Sequence, residues 1–375
     1  MKNILFILHF PPPVHGSSMV GQSIKNSHLI NNTYQCRYIS YLFSRNIVEI
    51  GKLSVYKITR ILSLWFELLT EIIKQKPDVC YLSLTASGPA FIKDVFLIGM
   101  LRFFRIKRVY HLHNKGVDQN KSKLLYRLLY RFVFKDANII LLSKQLYYDI
   151  EQYVPEKRIY ICPNGIDDIS PDHESRVLQK DNPVRILFLS NLIESKGVYI
   201  LLDACSILQE KGINFECDFI GDEGDIDVFQ FTNKVTDANL TSKVKYLGKK
   251  FGKDKQEIFA NADIFALPTY YSNECFPLVL LEAMSVSLPV ISTCEGGISD
   301  IVEDGATGFL VSKKNASALA DKLEILITNP KLRQQFGKAG RLKFEKEFTL
   351  SRFENRITEI LQQVILTEDT HKNQS

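Results

Sequence analysis

No stretch of the chain approaches the roughly 18–20 consecutive apolar residues of a membrane-spanning helix, and VFLIGML (95–101) comes nearest. Cysteine is sparse: seven residues, at positions 36, 80, 162, 205, 217, 275 and 294, without CxxC spacing. An odd, scattered set of this kind excludes a disulfide framework and a zinc site and reads as reduced core thiols of a cytosolic protein. No cluster of His, Asp and Glu has metal-ligand spacing, so no metal is expected. GDEG (221–224) falls short of the GxGxxG fingerprint, which sets a dehydrogenase aside. The opening MKNILFILHFPPP puts a single lysine before a short apolar run that ends in three prolines. It is expected to be a first buried strand; a signal peptide needs a longer apolar core and a small-residue cleavage site.

What is present is a globular composition, 45% apolar and 24% charged over 375 residues. That length exceeds one ordinary core and implies two domains of roughly 150–200 residues each. The net charge of +5 hides an asymmetry. Residues 1–163 carry 23 Lys and Arg against 10 Asp and Glu, and residues 164–375 carry 24 against 32. A basic half and an acidic half imply different partners.

Short runs rich in Val, Ile, Leu and Tyr alternate with longer helical patterns. Strands are predicted at 3–9, 78–84, 108–114, 138–143 and 158–164, then at 185–191, 215–222, 244–249, 263–269 and 289–293. Most are continuously apolar, as expected when both faces of a sheet are covered. The fold class is therefore α/β, with two Rossmann-like, doubly wound parallel sheets. PNGIDDISPDHESRVLQKDNP (163–183) has no periodic apolar pattern and marks the joint. The predicted organisation is a first domain over 1–165, a linker over 166–183 and a second domain over 184–350. A helix near 351–366 packs back on the first domain, and a disordered tail covers 367–375. Ligands sit beyond the carboxyl ends of such strands, so two facing halves are expected to form a cleft.

One acid looks misplaced. Glu282 stands in LVLLEAM, too apolar a stretch for a surface helix, where a carboxylate is costly unless paired. Pro277 fits the first turn of a helix over about 277–287, because its missing N–H would be unpaired there anyway. The N–H groups of Leu278, Val279 and Leu280 then point outward, an arrangement that binds phosphate. Glu274 lies in the loop above that end. N–H groups for a diphosphate, with two carboxylates for the hydroxyls of flanking sugars, suit a nucleotide-sugar.

ECFPLVLLEAMSVSLPVISTCEGGISDIVEDGATGFLV (274–311) closely resembles the C-terminal signature of the retaining glycosyltransferases of family 4, in which seven residues separate two glutamates. SNLIESKG (190–197), PPPVHGSS (11–18) and PNGID (163–167) match further family elements in the right order over nearly the whole chain. The resemblance implies the GT-B architecture and a metal-independent, retaining hexosyltransferase without a cofactor. Its substrate would be a nucleotide-sugar, UDP-sugar favoured. By the same resemblance Glu282 binds the donor ribose and Glu274 a hydroxyl of the donor sugar. Lys196 neutralises the diphosphate beside the backbone of Phe276, Pro277 and Leu278. Gly16 lets the first-domain loop approach the phosphate. His113 contacts the donor sugar and, with Glu274, is the candidate catalytic residue; His111 is assigned to the opposite side of its strand. The sequence departs from the family at Asn191, a donor-site position usually held by Arg, and at Ser17, where a second Gly is frequent. Lys249 and Lys250 are candidates to supply the missing charge.

KSKLLYRLLYRFVFKD (121–136) sets Lys123, Arg127, Arg131 and Lys135 on one helical stripe. Tyr126, Tyr130 and Phe134 form a parallel aromatic stripe, and Leu125, Leu129 and Val133 an apolar one. This is the composition of an in-plane interfacial helix. Arg102, Arg105, Lys107 and Arg108 add a second basic cluster. The expected partners are a nucleotide-sugar, a lipid-linked or oligosaccharide acceptor and an anionic membrane surface, with no nucleic acid. The expected role is cell-surface polysaccharide synthesis by a cytoplasmic enzyme, peripheral on the inner face of the membrane. The alternative is a catalytically silent nucleotide-sugar-binding or assembly protein of the same fold.

Overall fold

The computed structural model describes residues 1–41, 55–170 and 183–367. Most of the predicted linker, and the predicted tail beyond Thr367, lie outside the described residues. The chain forms two units, residues 1–165 together with 350–375, and residues 166–349.

In the first unit the strands are β1 (Asn3–Leu8), β2 (Gln35–Ser40), β3 (Val79–Leu84), β4 (Lys107–Leu112), β5 (Asn138–Leu141) and β6 (Ile159–Ile161). They pair in parallel in the order β2–β1–β3–β4–β5–β6. The helices are α1 (Gly16–Asn26), α2 (His28–Thr33), α3 (Val55–Lys74), α4 (Gly88–Phe103) and α5 (Leu124–Phe134). All six residues of β1 and of β3 are buried. Helices cover both sheet faces, which is why these strands read as unbroken apolar runs. VFLIGML lies inside α4 and buries Leu97, Ile98, Met100 and Leu101.

The second unit has β7 (Val184–Leu189), β8 (Phe215–Ile220), β9 (Val244–Tyr246), β10 (Ile264–Leu267), β11 (Val290–Thr293) and β12 (Gly308–Val311), in the order β12–β11–β10–β7–β8–β9. All pairs are parallel. Its helices are α6 (Val198–Glu210), α7 (Val228–Asp237), α8 (Gly252–Asn261), α9 (Leu278–Ser285), α10 (Ile298–Ile301), α11 (Ala316–Thr328) and α12 (Pro330–Glu347). Strand order reverses between β7 and β10, so the loops leaving these two strands flank the switch point at which open α/β sheets bind ligands. The two ends of the unit meet: Ile166 N–H donates to Phe348 O at 3.0 Å.

After Thr349 the chain adds α13 (Leu350–Leu366) to the first unit. Phe353, Ile357, Ile360, Leu361 and Val364 recur at helical spacing and pack on Ile4, Phe6, Val79, Tyr81 and Val109. Tyr34 OH donates to Thr358 O at 2.8 Å, and Lys107 Nζ caps the helix end at the carbonyls of Val364 and Ile365.

Two strands escaped the sequence reading, β2 and β12, and both lie at sheet edges. β2 (QCRYIS) mixes polar with apolar residues and so lacks the continuity that marks the interior strands, and β12 (GFLV) is only four residues long. Leu361 is fully buried in the face that α13 covers. Leu361→Ala should lower the stability of the first unit by about 2–5 kcal/mol, measured by urea unfolding.

Candidate functional site

The loop leaving β7 ends in a 3-10 turn, Glu194–Lys196, followed by Gly197 at φ 91°. A Cβ at Gly197 would lie 2.4 Å from Pro268 O, so only glycine lets this turn rest on the loop leaving β10. Tyr270 N–H donates to Ser195 O at 2.7 Å and ties the two loops together. Lys196 is thereby carried to the β10 loop. Its Nζ lies 2.5 Å from Glu274 Oε2 and 4.7 Å above the Tyr271 ring. Two residues predicted to act on one ligand, 78 positions apart in sequence, are thus in contact.

Glu274 is buried, at 7% exposure. Its loop is held from below by Gly296, whose φ is 57° and whose Cβ would stand 2.3 Å from Glu274 O. Gly297 N–H adds a bond to Cys275 O at 2.6 Å. Phe276 is buried against Phe348, with ring centroids 5.8 Å apart.

Pro277 differs from expectation by one position. It is the N-cap of α9, with φ −68° and ψ 118°, and the helix runs from Leu278 to Ser285 instead of 277–287. The proline ring fixes φ near its helical value and leaves ψ to swing to the extended side, so the residue serves as the cap. Leu280 N–H is also spent, donating to Pro277 O at 3.2 Å, which leaves Leu278 and Val279 as the outward donors of the first turn.

Glu282 sits one turn into α9, with its side chain 16% exposed. Its Oε1 accepts from Lys255 Nζ of α8 at 2.7 Å, and its Oε2 is buried without a hydrogen-bond partner. Burial pushes the carboxyl above its ordinary range, and Lys255 pulls it back. Lys255 was missed by sequence reasoning: its partner lies 27 residues away, across a strand, and no local spacing signals it. Asn191 faces Asp222, whose N–H reaches Asn191 Oδ1 at 3.4 Å. Lys249 is 2.7 Å from the same aspartate, so its cation stands one residue from Asn191 and is already paired.

In the first unit His113 lies just past β4. Its ring centroid lies 4.1 Å from that of His111, the planes tilted by 41°, so the two share one side of the strand end and the expected opposition is corrected. Residues i and i+2 of a strand point the same way. Burial, with His15 nearby, holds His113 neutral, its pKa down to about 3. The loop that follows is clamped by Asp149. This carboxylate accepts from the N–H groups of Gly116, Val117 and Asp118 at 3.0, 3.2 and 2.9 Å. Gly16 opens α1 behind the cap His15, with no protein atom within 4 Å of a built Cβ; packing within the unit does not require glycine there.

Arg127 and Arg131 of α5, and Lys123 and Lys135 at its two caps, are exposed. The aromatic stripe beside them faces inward: Tyr130 and Phe134 are core residues packed with Phe91 and Tyr153. The outward apolar residues are instead Leu124, Leu125, Leu128 and Phe132. The second basic cluster divides too. Lys107 caps α13, and Arg108 is buried with its guanidinium on Lys135 O.

Residues 170–343 match the family described as Glycosyl transferases group 1. The amylovoran biosynthesis glycosyltransferase AmsK of Erwinia amylovora is 28% identical over 299 residues, 74% of this chain and 72% of that protein. The capsular polysaccharide biosynthesis glycosyltransferase CapM of Staphylococcus aureus is 29% identical over 275 residues, 68% and 70% of the two chains. Among solved structures, Anabaena Alr3699/HepE in complex with UDP superposes with a TM-score of 0.75 over 97% of this chain and 100% of that one, at 19% identity. At that identity the likeness concerns the fold.

Gly296→Ala should lower the unfolding free energy of the second unit by about 1–3 kcal/mol, since Cβ has nowhere to go but into the Glu274 backbone; thermal denaturation measures it. The chain has the GT-B fold of two doubly wound parallel sheets, and residues 170–343 resemble the glycosyl transferases group 1 domain.

Proposed function

We propose that the chain is a retaining glycosyltransferase that moves a sugar from a nucleotide-diphosphate donor, UDP-sugar favoured, to a lipid-linked glycan acceptor in cell-surface polysaccharide synthesis. The observation that carries the reading is the convergence of Lys196, Glu274 and the start of α9 at one switch point. Relatives named for amylovoran and capsular polysaccharide biosynthesis support the pathway class.

In this reading the diphosphate lies against the Lys196 ammonium and the N–H groups of Leu278 and Val279. As the bond from the anomeric carbon to the diphosphate oxygen breaks, charge grows on that oxygen, where a fixed cation and a helix end are already aimed. Glu274 orients the sugar through a hydroxyl, and the unpartnered oxygen of Glu282 accepts from the ribose. Asn191 belongs to the same donor loop. The acceptor hydroxyl attacks from the face the diphosphate leaves, and its proton passes to a leaving phosphate oxygen. Retention follows without a covalent sugar–enzyme intermediate. Lys196 and the helix end supply the positive charge a divalent ion would otherwise bring, so the reaction is proposed to need no metal. His113 and Gly16 of the first unit are assigned to the same donor by resemblance.

The test is donor turnover, read as release of UDP from UDP-sugars with and without glycan acceptor. Lys196→Ala and Glu282→Ala should each lower it about a hundredfold or more with the fold intact, and EDTA should leave it unchanged. Near-wild-type turnover in both variants would reject the assignment. No release from any donor by the native chain would favour the catalytically silent binding protein instead.

The acceptor is proposed to come from an anionic membrane surface on the cytoplasmic side. No described helix is long and apolar enough to cross a membrane. The support is α5, whose Lys123, Arg127, Arg131 and Lys135 flank the outward Leu124, Leu125, Leu128 and Phe132. Each basic residue near anionic lipid contributes about 1 kcal/mol, so four hold the enzyme reversibly. Binding to vesicles in co-sedimentation should require anionic lipid and fall as salt rises. Equal recovery on neutral vesicles, or undiminished binding after serine replaces all four cations, would rule this surface out.

A further inference from the structure

Lys255 has no role in the reading so far, yet it makes the one hydrogen bond found for the Glu282 side chain among the described residues. It projects from the first turns of α8, with Nζ 5.9 Å from the Phe259 ring and its side chain 24% exposed. The other charges near α9 are engaged elsewhere. Arg341 of α12, the helix packed on α9, sends its guanidinium to Ser285 O, Asp168 and Glu345. Lys196 and Glu274 are paired with each other.

We infer that Lys255 is a positioning residue for the nucleotide: its ammonium anchors one oxygen of the Glu282 carboxylate and leaves the other to accept from the ribose. The inference rests on the donor-site reading above and adds to it a residue outside the 274–311 signature. A carboxylate has two oxygens and a single torsion that turns them together. A bond of 2.7 Å to a lysine on a neighbouring helix therefore fixes where the second oxygen points. It also keeps the group an acceptor. Burial alone favours the protonated form, which would present a hydrogen to the ribose where a lone pair is needed, and the nearby cation opposes that shift.

The sign of the pH effect follows. Glu282 must be ionised to accept fully, so affinity for the nucleotide is lost as pH falls through its pKa. Removing Lys255 leaves burial unopposed, raises that pKa and moves the loss to higher pH. A rise of about one unit leaves roughly tenfold less ionised carboxyl at pH well below the native value, and a smaller difference between the native and the raised value.

The experiment is calorimetric titration of the full chain with UDP from pH 5 to 8.5, on the native protein and on Lys255→Met, Lys255→Arg and Lys255→Met/Glu282→Gln. Lys255→Met should move the acidic fall in affinity upward by about one unit or more. It should weaken UDP most at the acidic end of the range and recover that loss toward alkaline pH. Lys255→Arg, which keeps the cation, should restore the native profile. The double variant, in which a neutral amide replaces the unpaired acid, controls for folding and should bind weakly, with no acidic fall beyond the one that protonation of the UDP terminal phosphate at about pH 6 imposes on every variant. With UDP-sugar as substrate, the Lys255→Met defect should appear in KM and leave kcat within a few-fold.

Three outcomes overturn the inference: an unchanged pH profile in Lys255→Met, an equal shift in Lys255→Arg, or a pH-independent loss in Lys255→Met that the double variant shares. If the native chain binds no UDP at any pH, the donor-site reading itself fails. If it binds UDP with an affinity blind to Lys255, that reading stands and the role of Lys255 falls.

Discussion

A carboxylate taken out of water needs a cation or a set of donors beside it, and two such carboxylates organise the switch-point end of the second unit. Glu274 and Glu282 belong to the same loop-and-helix segment, and each reaches a lysine from a different element, Lys196 after β7 and Lys255 on α8. Neither pair is local in sequence. Each exists only when β7, β10 and α8 are in their places, so the acids are paired by the completed sheet. A half-formed site would leave a buried charge unmet, which the fold cannot tolerate cheaply.

Backbone closeness does the rest of that work. The Lys196 turn lies on the β10 loop because Gly197 has no Cβ to strike Pro268 O, and the Glu274 loop lies on the turn after β11 because Gly296 has none to strike Glu274 O. Three successive loops, after β7, β10 and β11, are thus stacked at van der Waals distance. Small residues at these positions convert three flexible connections into one layer, which a site acting on developing charge needs if it is to be aligned before the reaction begins.

Much of this was legible in the sequence where the physics is local. Interior strands such as β1 and β3 announce themselves by burial on both faces, and Glu282 announces itself as an acid among leucines. Pro277 marked the start of α9 to within one residue. What escaped has a common cause, in that it depends on partners distant in sequence. β2 mixes polar and apolar residues, and β12 is a run of four, so each becomes a strand only by pairing with a neighbour already in the sheet. Lys255 reads as an ordinary surface lysine until α8 is packed beside α9. On α5 the helical period made Tyr130 and Phe134 look like a membrane face, when the same period serves the core; only the packing of Phe91 and Tyr153 decides which side turns inward. His111 is a different matter: strand alternation puts it beside His113, and the adjacent rings obey that rule.

The order of segments along the chain has its own physical logic. One face of the first sheet, carrying Ile4, Phe6, Val79, Tyr81 and Val109, is covered by α1 and α2 over only part of its extent, and α13 supplies the remaining cover. Those residues are synthesised after the whole second unit, so the first unit cannot complete its core until residue 350 and beyond are available. The second unit permits this because its own ends are adjacent, joined by the Ile166–Phe348 hydrogen bond and braced by the bond from Arg341 to Asp168. A unit whose ends meet can be inserted into another chain without straining either core. Ordering of the second unit therefore has no topological dependence on α13, whereas part of one face of the first sheet stays uncovered until that last helix docks.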